Sequence, residues 1–222
     1  MPASPSSGAG FLDAWSLLLK EIRPPTQPGV NRRFTELIRT DRRGRKTLAP
    51  RAKADVELRE LMSRLWLELS PALEYLSEEE VATVRLALEV SALAHHGQKR
   101  KSGEPFIIHP VAVAQLLAGM GMDCETVCSG LLHDTAEDTD LDLEEIEEIF
   151  GVGVRNIVEG ETKVSKLAKL GSSPADYEET QAENLRSLFL AMTDDVRIIF
   201  VKLADRCVLL FSFKEDGDPF DD

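Results

Sequence analysis

The four histidines of this 222-residue chain, His95, His96, His109 and His133, fall within 39 residues of one another. His133 is followed at once by Asp134, then by Glu137 and Asp138, in the segment LLHDTAEDT. On a continuous helix Glu137 lies four residues beyond His133 and three beyond Asp134, and Asp138 lies four beyond Asp134. Those spacings bring side chains onto shared or adjoining faces. An imidazole and several carboxylates converging behind the apolar pair Leu131 and Leu132 resist ionising together unless something positive compensates them. A divalent cation would do so, and mixed imidazole and carboxylate donors suit Mn²⁺, Fe²⁺ or Zn²⁺. From this segment alone, a surface acidic helix with one capping histidine is the competing reading.

Other residues bear on that choice. His109 ends the run FIIHP, just before Pro110. It is either a helix-start element or a ligand fixed by the rigid entry into the helix. Asp205 lies in VKLADR, within an apolar helical stretch, where a carboxylate needs a partner. Arg206 offers a plain surface ion pair, and a metal is the sharper alternative. Lys99, Arg100 and Lys101 lie in the loop GQKRKSGEP ahead of His109. Three cations at the mouth of an acidic pocket attract a polyanion such as a phosphorylated nucleotide, although exposed basic loops are common. Lys163 and Lys166 form a second small basic cluster. Cys124 and Cys128 are four apart, a spacing open to metal or redox chemistry, but two small buried hydrophobes is the favoured reading. Three cysteines without tight pairing fit a reducing compartment.

The elements that must position these groups read as helices. Leu58, Leu61, Leu65, Trp66 and Leu69 recur at three- and four-residue spacings until Pro71 intervenes. Ser77 with Glu80 forms a capping box for a helix from Glu78 to Ala94. Further helices are expected from Pro110 to Gly119, from Cys124 to Asp134, from Asp142 to Phe150, and from Val154 to Thr162 or Lys163. A flexible connector is expected over Lys169 to Glu178, then helix from Ala182 to Met192. A final long helix follows, capped by Asp194. The β-branched cluster Val196, Ile198, Ile199 and Val201 is assigned to that helix because no partner strand is evident. Near the amino terminus, Phe11 to Ile22 could make a short helix that the PPTQPG segment stops. Residues 30–50 read as mobile chain. The expected class is all-α.

Charge divides the chain. Residues 1–55 carry 11 Lys/Arg against 5 Asp/Glu, and the rest carries 15 against 34. The acidic body disfavours nonspecific binding to a nucleic acid backbone, and no apolar run is long enough to span a membrane. The basic head, residues 1–51, reads as a mostly disordered leader, and its Arg-rich, acid-poor character is compatible with an organellar transit segment. Residues 52–212 form the helical domain, and 213–222 an acidic tail.

Taken together and in order, AHHGQKRKSGEPFIIHP, LLHDTAEDT, GETKVSKL and AENLRSLFLAMTDDVRIIFVKLADR resemble the N-terminal hydrolase domain of the RelA/SpoT homologues, bifunctional synthetases and hydrolases of the alarmone (p)ppGpp. The resemblance runs from about Leu76 to Arg206. VEGETKVSKL resembles the plant and algal, plastid-directed branch. The resemblance implies an HD-domain helical bundle. It implies a metal, typically Mn²⁺, held by His109, His133, Asp134 and Asp205. Glu137 and Asp138 would serve the attacking water. Arg100, Lys101, Ser102 and Phe106 would line the nucleotide, the family usually having Tyr at the last position. The implied reaction is hydrolysis of the 3′-pyrophosphate of (p)ppGpp to GDP or GTP and pyrophosphate.

The chain departs from the family after KLADR, where the family continues LHNMRT. Here Cys207, Val208, Leu209 and Phe211 replace the leucine, histidine, asparagine and arginine. The asparagine normally contacts substrate, so those hydrogen bonds are lost at Leu209. The family's later helices and synthetase domain are not recognisable, which reads as a truncated member. Two outcomes are open: a weakened (p)ppGpp hydrolase, or a catalytically inactive regulatory fragment. A generic phosphohydrolase acting on other nucleotides is a third, disfavoured by the RKSG loop and the acidic pair. Without the closing helices, Ile199 and Leu203 should be exposed on the final helix.

Overall fold

The computed structural model describes residues 34–40, 44, 46–48, 56–100, 102–170, 186 and 194–215. The expected helix over Phe11 to Ile22, all of Ala182 to Met192 except Arg186, which is helical, and most of the connector between Lys169 and Glu178 lie outside the described residues.

Helix α1 spans Val56–Leu69 and buries Leu58, Met62, Leu65 and Leu69, one stripe at helical spacing. Pro71 has no N–H to continue the ladder, and the chain passes into a 3₁₀ turn, Ser70–Leu73. Helix α2, Glu78–Ala94, starts on the expected capping box. The Ser77 hydroxyl accepts from the Glu80 amide, and the Glu80 carboxylate accepts from the Ser77 amide at 2.8 Å. Helix α3 is Ile108–Gly119 and helix α4 is Cys124–Leu132, the latter capped by Asp123. A single turn, α5, covers Thr135–Asp138. Helix α6, Leu143–Phe150, is capped by Asp142 and ends at Gly151, whose φ of 93° favours glycine. Helices α7, Val152–Leu170, and α8, Arg197–Glu215, complete the bundle.

The architecture is all-α, with α4 at its centre. Helices α2 and α3 pack on α4 from one side and α7 from another, and α8 lies across α3 and α7. Every residue of α4 from Thr126 to Leu132 is buried. A carboxylate or imidazole at the end of this helix therefore enters the interior, whatever its own solvation preference.

Four expectations need correction. The helix expected through Asp134 stops at Leu132, because the Thr135 hydroxyl takes the Leu132 carbonyl at 2.7 Å in competition with the backbone ladder. Glu137 and Asp138 thus belong to α5, not to a continuation of the His133 helix. The seventh helix runs from Val152 to Leu170, longer at both ends than its apolar periodicity. The cap of α8 is Asp195, not Asp194: its carboxylate accepts from the Arg197 amide at 2.9 Å. Lastly, within residues 30–50, a short antiparallel ribbon pairs β1, Ile38–Thr40, with β2, Lys46–Leu48. It docks on α6. The Lys46 ammonium donates to the carbonyls of Glu148 and Ile149, and the Thr35 amide donates to Glu145 at 3.2 Å. The last carbonyls of a helix lack intrahelical partners and carry its negative dipole end, so a lysine is well placed there.

Helix α8 is helical as expected. Leu203 and Leu210 are 56% and 69% exposed, while Ile199 is half-buried. Arg197 anchors the start of α8 to the start of α4. Its guanidinium reaches Glu125 at 2.7 Å and Asp123 at 3.2 Å as well as Asp195.

Gly130 is the close-packing point between α4 and α3. A Cβ there would lie 2.6 Å from Leu117 Cδ1 and 3.4 Å from Val113 Cγ1. Gly130→Val should overpack this contact and destabilise the domain by about 1–3 kcal/mol, read as a lowered urea midpoint at unchanged slope.

Candidate metal centre

Three helices deliver the site. His109 is the second residue of α3, His133 follows the last residue of α4, and Asp205 lies midway along α8. All three are buried, and one ligand atom from each lies within 4.8 Å of the others. His109 Nε2 is 3.1 Å from Asp205 Oδ1, and His133 Nε2 is 3.9 Å from the same oxygen. The two imidazoles meet edge to face with centroids 5.5 Å apart. Asp134 adds its Oδ2 at 3.0 Å from His133 Nε2. Asp205 thus turns inward, and its neighbour Arg206 points to solvent, which disposes of the surface ion pair.

The tautomer of His133 is set by the helix that carries it. Its Nδ1 lies 2.9 Å from the Gly130 carbonyl, which can only accept, so Nδ1 is the donor. Nε2 is then left facing Asp134 and Asp205. It is buried and makes no aligned hydrogen bond despite the 3.0 Å approach of Asp134. An orphaned nitrogen aimed at two carboxylate oxygens is the donor arrangement a cation would complete.

Charge bookkeeping agrees. Lys202 is buried beside the site and donates to Asp205 Oδ2 at 3.1 Å, to Glu161 at 2.9 Å and to Ser165 at 2.6 Å. Asp134, Asp205 and Glu161 set against this one lysine leave two negative charges in excess. Burial would drive that excess off as protonation, and a divalent cation matches it. Burial alone would raise the Asp205 pKa, but His109, His133 and Lys202 hold it well below the usual carboxylate range. Burial would likewise lower His133, yet Asp134, Glu161 and Asp205 outweigh it and push the imidazole up to about 9. The residues present therefore fit a divalent metal.

Other predicted residues surround this point at varied distance. Glu137 is largely shielded, with Lys166 at 3.8 Å, and Asp138 is exposed, both on α5 beside His133 and Asp134. Arg100 opens a tight turn: its carbonyl accepts from the Gly103 amide at 2.9 Å, and its amide donates to Glu104 at 2.9 Å. Gly103, with φ of 91°, makes that turn possible. Ser102 donates to Glu104 at 3.3 Å within the same loop. Lys101 lies outside the described residues. Lys163 is engaged by Glu159 at 3.0 Å. Cys124 and Cys128 have sulfurs 4.0 Å apart on α4, with Cys128 buried.

His95, which the sequence reading left without a role, is buried beneath this loop and stacks on Phe106 at 4.4 Å. Gln98 accepts at His95 Nδ1, 2.8 Å, and donates to the Asp138 carbonyl at 2.7 Å. This chain of contacts ties the basic loop to α5. Lys202 and Glu161 were also missed, and only the oddity of charged residues on apolar helix faces could have flagged them.

An all-α bundle that brings two imidazoles and an aspartate from three helices to one buried point defines a metal-site domain of the histidine–aspartate kind. A profile of the family described as HD domain matches residues 87–219. The chain belongs to this HD domain family. It is 55% identical over 145 residues to the "Putative GTP diphosphokinase RSH1, chloroplastic" of Arabidopsis thaliana, covering 64% of this chain and 16% of that protein. It is 49% identical over 132 residues to the "Bifunctional (p)ppGpp synthase/hydrolase SpoT" of Escherichia coli K12, covering 60% and 18%. The chain thus spans about a sixth of the length of these relatives. A solved structure described as "A metazoan ortholog of SpoT hydrolyzes ppGpp and plays a role in starvation responses" overlaps 61% of this chain and 96% of that one, with TM-score 0.36 and 21% identity.

At pH 7 the His133 imidazole, raised to about 9, carries a proton that a cation must displace. Divalent metal binding at pH 7 should therefore release about one proton, falling towards zero above pH 9. Calorimetry in buffers of differing ionisation enthalpy measures it. The same shift stabilises the metal-free fold fully below about pH 6.5, and that contribution is lost as pH rises through 9.

Proposed function

We propose that this chain is a metal-dependent 3′-pyrophosphohydrolase of (p)ppGpp, releasing pyrophosphate and GDP or GTP. The observation that carries the reading is the convergence of His109, His133 and Asp205 on one buried point with Asp134 alongside. The chain's likeness to proteins named for (p)ppGpp synthesis and hydrolysis supports the choice of substrate. The four residues would hold Mn²⁺, which when bound would polarise a phosphoryl oxygen and acidify water.

The remaining steps fall to the chain's own side chains. Glu137 or Asp138, on the turn that follows Asp134, orients the attacking water and takes its proton. Arg100 and Lys101, with Ser102, bind the phosphates from the loop ahead of His109; as water's oxygen bonds to the 3′-phosphorus and the P–O3′ bond breaks, Arg100 meets the charge that develops on the pyrophosphoryl group, and the nucleotide leaves as its 3′-hydroxyl. Phe106, packed on His95, offers a flat apolar face to the guanine base. None of the described helices is long and apolar enough to cross a membrane. The chloroplastic relatives support a plastid location.

Leu209 bears on turnover. It is half-buried on α8, one turn beyond Asp205, and cannot supply the amide hydrogen bonds of an asparagine. This favours a slow enzyme.

Purified protein with Mn²⁺ should release pyrophosphate from ppGpp above the His133→Ala background, and a rate equal to that background would overturn the reading. Leu209→Asn should raise kcat/KM by about tenfold, the equivalent of one recovered buried hydrogen bond. Replacing Arg100 by Ala should act mainly on substrate affinity while leaving Mn²⁺ binding intact, which equilibrium dialysis would show.

A further inference from the structure

Asp205 has two oxygens with different occupations. Oδ1 faces His109 and His133, at 3.1 and 3.9 Å. Oδ2 is taken by the Lys202 ammonium at 3.1 Å. Lys202 is one turn back on the same helix, so its reach to Asp205 is built into α8. It is held from the other side by α7, where Glu161 accepts at 2.9 Å and Ser165 at 2.6 Å. Ser165 in turn donates to Glu161 at 2.7 Å, one turn along α7. All four side chains are buried, with Glu161 at 1% exposure.

We propose that Glu161 and Lys202 are positioning residues that present Asp205 to the metal through one oxygen only. Lys202 occupies Oδ2 and blocks a two-oxygen mode. Glu161 neutralises the lysine, which would otherwise repel a divalent cation held by Asp205 Oδ1. Ser165 fixes the rotamers of both. A lysine and a glutamate on apolar helix faces are otherwise costly to bury, and an apolar pair of similar volume would serve packing at least as well. Their geometry is instead that of outer partners to a ligating carboxylate. This inference rests on the metal-site reading, not on the identity of the substrate.

The test uses the full chain and two probes, Mn²⁺ for affinity and Co²⁺ for coordination. Wild-type protein that binds neither ion would sink the metal site itself, before the roles of Glu161 and Lys202 arise. Given binding by the wild type, Glu161→Gln should raise the Mn²⁺ Kd by about tenfold or more, as loss of an outer partner does. The Glu161→Gln, Lys202→Met double variant should restore Kd to within about threefold of wild type, because the uncompensated cation is gone. Lys202→Met, alone or in the double variant, should weaken the Co²⁺ d–d absorption as Asp205 takes up its second oxygen and the coordination number rises. A merely structural role would move melting temperature but not this spectrum. A Glu161→Gln variant that binds Mn²⁺ as tightly as wild type overturns the proposal. So does an unchanged Co²⁺ spectrum in a folded Lys202→Met variant. If either single variant fails to fold, the double variant, which removes one charge of each sign and keeps the net charge of the site, decides by the spectrum alone.

Discussion

Three carboxylates brought into a helical interior against one lysine form the constraint on which this domain turns. Water does not reach Asp205 and Glu161 and reaches Asp134 only in part, so their charge is met largely from within the fold or by an ion. Lys202 meets one charge, and the histidines, neutral when they ligate, meet none. The remaining imbalance is what gives the site its affinity for a divalent cation. It also means that the metal-free domain holds a proton on His133 as a substitute, at a cost that rises with pH.

The helices are arranged so that this imbalance cannot relax by side-chain withdrawal. The centre of the bundle is α4, buried from Thr126 to Leu132, and its Gly130 carbonyl fixes the His133 ring. The close contact of Gly130 with α3 sets how near His109 can come. On the far side, Arg197 ties the start of α8 to the acidic start of α4. Asp205, two turns further on, is thereby held at fixed distance from both histidines. The basic loop is coupled less rigidly, through the His95 and Phe106 stack and the Gln98 bridge to α5. That difference suits the rigid metal cradle and the more adaptable substrate edge proposed above.

Much of this was legible in the chain because it rests on local rules. The capping box at Ser77, the stop at Pro71 and the helical identity of the segment around Ile198 are decided by short-range chemistry. Residue identity also marked His109, His133, Asp134 and Asp205, since an acid in an apolar stretch demands a partner. Where local rules compete, periodicity does not decide the outcome. Thr135 captures the Leu132 carbonyl and ends α4 early, a contest between side chain and backbone that periodicity does not register. The ribbon ahead of the bundle escaped notice because its strands are three residues each and lean on α6 through a lysine more than 100 residues before its partners.

The amino-acid sequence by itself determined the helical class and most helix starts, because these follow from composition and spacing within a turn or two, and it offered candidate ligands without fixing which of them meet. Tertiary structure decided which oxygen of Asp205 faces the imidazoles, that Arg206 is not its partner, and that Lys202 and Glu161 stand behind it. Those outcomes depend on the crossing of α7 and α8 over α4, and a one-dimensional pattern does not encode which faces meet.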